Sequence, residues 1–82
     1  MANPLVSVVV VCCNGLDITR RCLAGLDNQD YAPREIIVVD NGSQEDIRAM
    51  VTGTYPQFRF IRIDHNLGFA GGYNRGIAAA NG

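Results

Sequence analysis

The chain has no lysine and no tryptophan. All seven basic residues are arginines, which excludes a lysine-dependent phosphate loop, a Schiff base and a lysine general base. Charge is sparse, at 18% of residues, and nearly balanced at −1. A dedicated nucleic-acid binder carries a basic surplus, so no nucleic-acid partner is expected. Cysteine is scarce too: Cys12, Cys13 and Cys22 are odd in number and two are adjacent. That is a poor disulfide framework, and the apolar neighbours read as buried thiols in a reducing compartment. The longest largely apolar run, Leu5–Cys13, is too short to cross a bilayer and follows no basic region. A cytoplasmic location is the expectation.

What is present is a globular composition: 82 residues, 48% of them hydrophobic. Residues 1–82 read as one domain with a thin margin of burial over conformational entropy.

The stretch "PLVSVVVVCC" is nearly unbroken apolar and β-branched. A run without polar alternation predicts a strand covered on both faces, as in a parallel sheet under helices. Asn14–Gly15 ends it. A helix follows through "LDITRRCLAGLDNQ", with Ile18, Cys22, Leu23 and Leu26 on one stripe. "EIIVVD" (Glu35–Asp40) is a second buried strand, closed by the turn "NGS". Ser43 and Asp46 have the spacing of a capping box ahead of a short helix through Ile47, Met50 and Val51. "FRFIRI" (Phe58–Ile63) carries Arg59 and Arg62 among apolar residues and predicts a strand with a more exposed side, hence an edge. Phe69, Tyr73, Ile77 and Ala80 stand at helical spacing in the last segment.

The order β-α-β-α-β-α predicts a three-stranded parallel sheet, strand order 3-2-1, in an α/β, Rossmann-like half-domain. Ligands of such sheets sit at the carboxyl rim of the strands, where "CCNG", "DNGS" and "DHNLG" all fall. A dinucleotide site needs G-x-G-x-x-G in the first turn, and "CCNGLDIT" has one glycine there. A P-loop needs Lys and Ser/Thr after its glycines, and "GFAGGYNRG" has neither. A flavodoxin-like signalling domain calls for an acidic cluster after the first strand, where Cys12 and Cys13 stand instead. Asp40 ends a buried strand, so its carboxylate is held at the rim. It is placed either to accept a hydrogen bond from a base imide or ribose hydroxyl, or to cap its own turn.

Taken together, "VSVVVVCCNGLDITRRCLAGL", "EIIVVDNGS" and "NLGFAGGYNRG" resemble the amino-terminal half of family 2 glycosyltransferases, which have the GT-A fold. Within that family the third block is most similar to rhamnosyltransferase-like bacterial members. The resemblance implies an enzyme that moves a sugar from a UDP- or dTDP-sugar to a glycan or lipid-linked acceptor. Asp40 would bind the base, Cys12, Cys13 and Asn14 would lie against base and ribose, and Asn66, Gly68 and Asn74 would close over the nucleotide. The alternative is a non-catalytic nucleotide-binding or self-associating α/β module.

The chain departs from the family pattern at several points. Cys12-Cys13-Asn14 replaces the usual Thr-Tyr-Asn, and Tyr73 stands where many members carry an arginine. Arg75 lies about 100° around the helix from its neighbour and is a poor substitute. No D-x-D occurs, so the Mg²⁺ or Mn²⁺ expected for the complete enzyme finds no ligands here, and no catalytic residue is assigned. His65 in "DHN" reads as a turn residue. The chain is therefore expected not to turn over alone. In the complete fold the first strand is flanked on both sides. An exposed first-strand edge predicts a homodimer or higher oligomer, and the family resemblance adds peripheral membrane association of the complete enzyme.

Overall fold

A computed structural model of the chain describes residues 5–29 and 34–81; Pro4, read above as the head of the first strand, lies outside the described residues. The elements run β1 (Val6–Cys12), α1 (Leu16–Asp27), β2 (Arg34–Asn41), α2 (Ile47–Thr54), β3 (Arg59–Ile63) and α3 (Gly68–Ala79). The three strands form one parallel sheet in the order β1-β2-β3. This is the α/β, Rossmann-like half-domain expected from the sequence, with β2 central and β3 at an edge.

The sheet is covered on both faces, which is why β1 and β2 lack polar alternation. Ile36 and Val38 of β2 pack with Leu23, Ile47, Met50 and Val51 on the face of α1 and α2. Ile37 and Val39 pack with Ile63, Ala79 and Ala80 on the face of α3. Successive strand residues alternate faces. The arginines of β3 are therefore split between the two faces, Arg59 on that of α3 and Arg62 on that of α1 and α2. "FRFIRI" does not segregate its charges to one side.

Helix α1 meets the sheet through Leu16, Thr19, Leu23 and Leu26, with Thr19 and Leu23 buried. The stripe read from the sequence is thus out of phase: Ile18 is 74% exposed and Cys22 faces out. The i, i+3, i+7, i+10 spacing from Leu16 keeps one line along the helix, and Ile18 lies well off that line. The expectation of buried thiols holds for Cys12 alone, because Cys13 and Cys22 are exposed.

The capping box is not formed. Asp46 caps α2, accepting from Ala49 N–H at 3.0 Å, while Ser43 accepts from Asn14 N–H at 2.6 Å and so belongs to the rim.

Helix α3 turns its glycines, not its aromatics, to the sheet. A Cβ on Gly72 would come within 2.7 Å of Val11, and one on Gly76 would collide with Val9. Gly71 faces Leu67 of its own first turn. Close packing through Gly72 and Gly76 leaves Phe69 75%, Ile77 62% and Tyr73 43% exposed. At the amino end of the sheet, Glu35 fastens the end of α3. It accepts from Ser7 Oγ at 2.6 Å and from Asn81 N–H at 2.5 Å. Arg59 joins it at 3.3 Å and also donates to the Ala79 carbonyl at 2.6 Å.

Candidate functional site

The first turn starts with Asn14 at φ 60° and Gly15 at φ 71°, two consecutive left-handed residues that reverse the chain directly after β1. Asn14 then binds the second turn twice: its N–H donates to Ser43 Oγ and its Oδ1 accepts from Gln44 N–H at 2.9 Å. Glu45 completes the link by accepting from Gly15 N–H at 2.8 Å and Leu16 N–H at 3.3 Å. A carboxylate of the second turn therefore occupies the amino end of α1, where a phosphate would otherwise be favoured.

The third turn meets the second through Asn41 and Gly42. The Asn41 amide donates to Asn66 Oδ1 at 3.1 Å and to the Gly68 carbonyl at 3.0 Å, and accepts from Leu67 N–H at 2.9 Å. Gly42 has φ 79°, and a Cβ there would lie 2.6 Å from Asn66 N, so only glycine lets the two backbones touch. Asn66 also donates from Nδ2 to Cys13 Sγ at 3.4 Å. All three rim turns are thereby bonded into one surface, as the sequence predicted.

Between them lies a cavity of about 190 Å³ lined by Val11, Cys12, Cys13, Asn41, Asn66, Gly68 and Phe69. A second hollow of about 270 Å³ sits at the opposite end of the sheet, lined by Arg34, Glu35, Ile36, Gln57, Phe58 and Arg59. Although it is larger, its charges are already engaged, Glu35 with Arg59 and Arg34 with Asp27, and it is remote from the carboxyl rim. We take the rim cavity as the candidate site.

Of the residues singled out from the sequence, Cys12, Cys13, Asn66 and Gly68 line this cavity, and Asn14 stands beside it as the bridge to the second turn. Asp40 does not line it. Its side chain turns to the α1/α2 face, is fully buried, and has both oxygens engaged, one by Ser43 N–H at 3.0 Å and one by Arg62 at 2.7 Å. As it stands, the carboxylate serves its own turn and β3. Strand alternation puts Asn41, one residue on, into the cavity. Asn74 is also apart. It is exposed in the middle of α3, about 9 Å along the axis from Gly68 at the ordinary helical rise, so it is not part of the helix start.

Sequence reading missed Val11, Asn41, Glu45 and Phe69. The available signal for Asn41 was its place directly after Asp40 in a strand. The Cys12 thiol is pushed up to about 11, chiefly by burial and then by the nearby Asp40 carboxylate, which makes it an inert lining group. Among the described residues no three His, Cys, Asp or Glu side chains come together to hold a metal ion. The Mg²⁺ or Mn²⁺ that the family resemblance implies for the complete enzyme finds no such cluster among the described residues. Among the same residues no helix is long and apolar enough to cross a membrane.

The family model described as Glycosyl transferase family 2 matches residues 7–82. An uncharacterized glycosyltransferase of Mycobacterium tuberculosis is 36% identical over 80 residues, covering 96% of this chain and 30% of the relative. The galactofuranosyltransferase GlfT1 of Mycolicibacterium smegmatis is 33% identical over 76 residues, covering 93% of this chain and 25% of the relative. The succinoglycan biosynthesis protein ExoO of Rhizobium meliloti is 35% identical over 80 residues, 96% of this chain and 23% of the relative. The chain spans about a quarter to a third of the length of these curated relatives. Sheet order, rim and sequence match agree: the chain belongs to glycosyl transferase family 2.

Proposed function

We propose that this chain is the donor-nucleotide side of a glycosyltransferase that moves a sugar from a UDP- or dTDP-sugar to a glycan or lipid-linked acceptor. The observation that carries the reading is the convergence of three bonded turns on one cavity at the carboxyl rim. Its apolar wall, Val11 and Phe69, suits the face of a base, and the Asn41 and Asn66 amides suit its polar edge. Asp40 enters the reading only through Ser43 and Arg62, which engage both of its oxygens.

Volume limits what is held. About 190 Å³ accommodates a base and part of a ribose, against the roughly 300–1,000 Å³ of a complete ligand pocket. The diphosphate would leave past Gly68, at the amino end of α3, where the helix dipole favours negative charge. The end of α1 is already taken by Glu45. Mg²⁺ or Mn²⁺ for the diphosphate, and a base for the acceptor hydroxyl, would have to come from outside this chain. Turnover by the chain alone is not part of the proposal. Rhamnose as the sugar rests on the third sequence block only, and one relative is named a galactofuranosyltransferase.

One observation favours the alternative of a non-catalytic module: the polar groups of the three turns already satisfy one another, and no described buried polar side-chain atom lacks a partner. Titration with UDP and dTDP, with and without Mn²⁺, separates the two readings. Saturable binding that weakens in Phe69→Ala, a largely exposed position, supports the donor site. Absence of binding at millimolar nucleotide overturns it in favour of the module.

A further inference from the structure

The way two rim amides face is fixed by backbone groups that cannot exchange roles. A backbone N–H only donates and a carbonyl only accepts. Leu67 N–H meets one end of the Asn41 side chain at 2.9 Å, so that end is the oxygen. The Gly68 carbonyl meets the other end at 3.0 Å, so that end is the nitrogen. The same nitrogen reaches one atom of the Asn66 amide at 3.1 Å, and Gly68 N–H reaches that atom at 2.7 Å. Two donors converge there, so it is the Asn66 oxygen. Asn41 is 2% exposed, and Gly72 of α3 packs against its amide, where a Cβ would lie 3.2 Å from Nδ2. The buried strand tip therefore sets how the Asn66 amide is turned.

What is left for a ligand follows from the valences. A side-chain amide has two lone pairs on its oxygen and two hydrogens on its nitrogen. Both lone pairs of Asn66 Oδ1 are occupied, as are both hydrogens of Asn41 Nδ2. Among the described residues Asn66 Nδ2 meets the Cys13 thiol at 3.4 Å, and a thiol sulfur is a weak acceptor. Asn66 and Cys13 both line the rim cavity. Toward that cavity Asn66 can give a hydrogen bond and cannot take one.

We infer that Asn66 is a specificity-determining residue of this site: its amide, held by Asn41, donates to the 4-carbonyl of uracil or thymine and rejects the 4-amine of cytosine. This deepens the donor-site reading above and rests on it. Ribose and phosphate oxygens are acceptors too. The cavity lining includes no acidic or basic residue, however, which suits a neutral base better than a charged diphosphate. Of the two base carbonyls, the one at position 2 stands beside the glycosidic bond. The one at position 4 lies on the edge remote from the sugar, which enters a small cavity first. A cytosine in that place sets one amine against another and leaves both without an acceptor. One such mismatch corresponds to roughly tenfold in affinity.

Calorimetric titration of the full chain with UDP and CDP tests the inference. Wild type should bind UDP about tenfold more tightly than CDP. Asn66→Asp keeps an oxygen toward Asn41 and Gly68 and puts a second oxygen where the NH₂ stood, with little change of shape. It should bring the two ligands to parity or reverse their order. Its added charge opposes both diphosphates alike, so the ratio is the readout. A second readout needs no variant: the side-chain amide signal of Asn66 in the NMR spectrum of wild type should move further with UDP than with CDP. Wild-type parity between the ligands overturns the inference and leaves the donor site standing. So does an Asn66 signal that UDP does not move, or a UDP preference that Asn66→Asp leaves unchanged. Absence of binding of either ligand at millimolar concentration removes the donor site and this inference together.

Discussion

Asp40 and Arg62 face each other across β2 and β3, in register and 2.7 Å apart, with the carboxylate fully buried and the guanidinium about one-third exposed. The pair joins the tip of the central strand to the edge strand, and Ser43 N–H holds the other oxygen. Removing Arg62 leaves a buried charge with one partner. Arg62→Ala should destabilise the fold by about 2–3 kcal/mol, somewhat below the about 3–5 kcal/mol for breaking a fully buried pair, because Arg62 is partly hydrated. Urea unfolding measures it, and an unchanged midpoint would refute the structural role given to the pair.

The glycines of the helices divide into two kinds. A Cβ on Gly76 would collide with Val9, whereas Gly25 in α1 has nothing within 4 Å. Gly76→Ala is expected to lose about 1–3 kcal/mol through overpacking. Gly25→Ala should gain about 0.5–1 kcal/mol from helix propensity. Thermal melts of the two variants should therefore move in opposite directions.

Acid should loosen the far end of α3 through Glu35. Its carboxyl is held down at about 2, from 4.5, first by the Ser7 hydroxyl, then by Asn81 N–H, with Arg59 contributing less. A lowered folded-state value means the stabilisation is complete above about 4.5 and disappears as the pH falls towards about 2. Melting temperature followed down through this window should drop more steeply in wild type than in Glu35→Gln.

Thiol chemistry offers a probe of the cavity. Cys13 and Cys22 are exposed, while Cys12 is buried with its thiol raised to about 11. A thiol reagent should titrate two groups in the native chain near neutral pH and three after unfolding. Cys13 lines the candidate donor cavity and Cys22 lies on α1. Bound UDP or dTDP should slow labelling of Cys13 and leave Cys22 unaffected, read by mass spectrometry of the labelled peptides. Equal slowing of both would place the nucleotide elsewhere.

Much of the fold was legible because its signals are local. A β-branched run, a glycine turn and a helical spacing each act within one element, and their alternation admits few topologies. The rim followed directly, since all strands of a parallel sheet end on one side. The errors came where a local signal is silent. β2 is apolar on both faces, so nothing in "EIIVVD" shows which of Asp40 and Asn41 turns toward α3. In α1, Ile18 and Cys22 are as apolar as the residues that are buried, and only packing into the core shared with α2 and the sheet selects Leu23 as the inward position. In α3 the larger side chains suggested the packed face, yet Gly72 and Gly76 bring the helix close to Val9 and Val11.

By itself, then, the amino-acid order determined the elements, their parallel arrangement and the rim at which three polar turns gather, because these depend on composition and period along the chain. Tertiary structure alone decided that Asp40 bonds Arg62 while Asn41 lines the cavity, that Glu45 fills the end of α1, and that the aromatic flank of α3 stays uncovered. Each of these depends on which groups meet across segments distant in sequence, and steric fit and charge pairing act only once those segments are in contact.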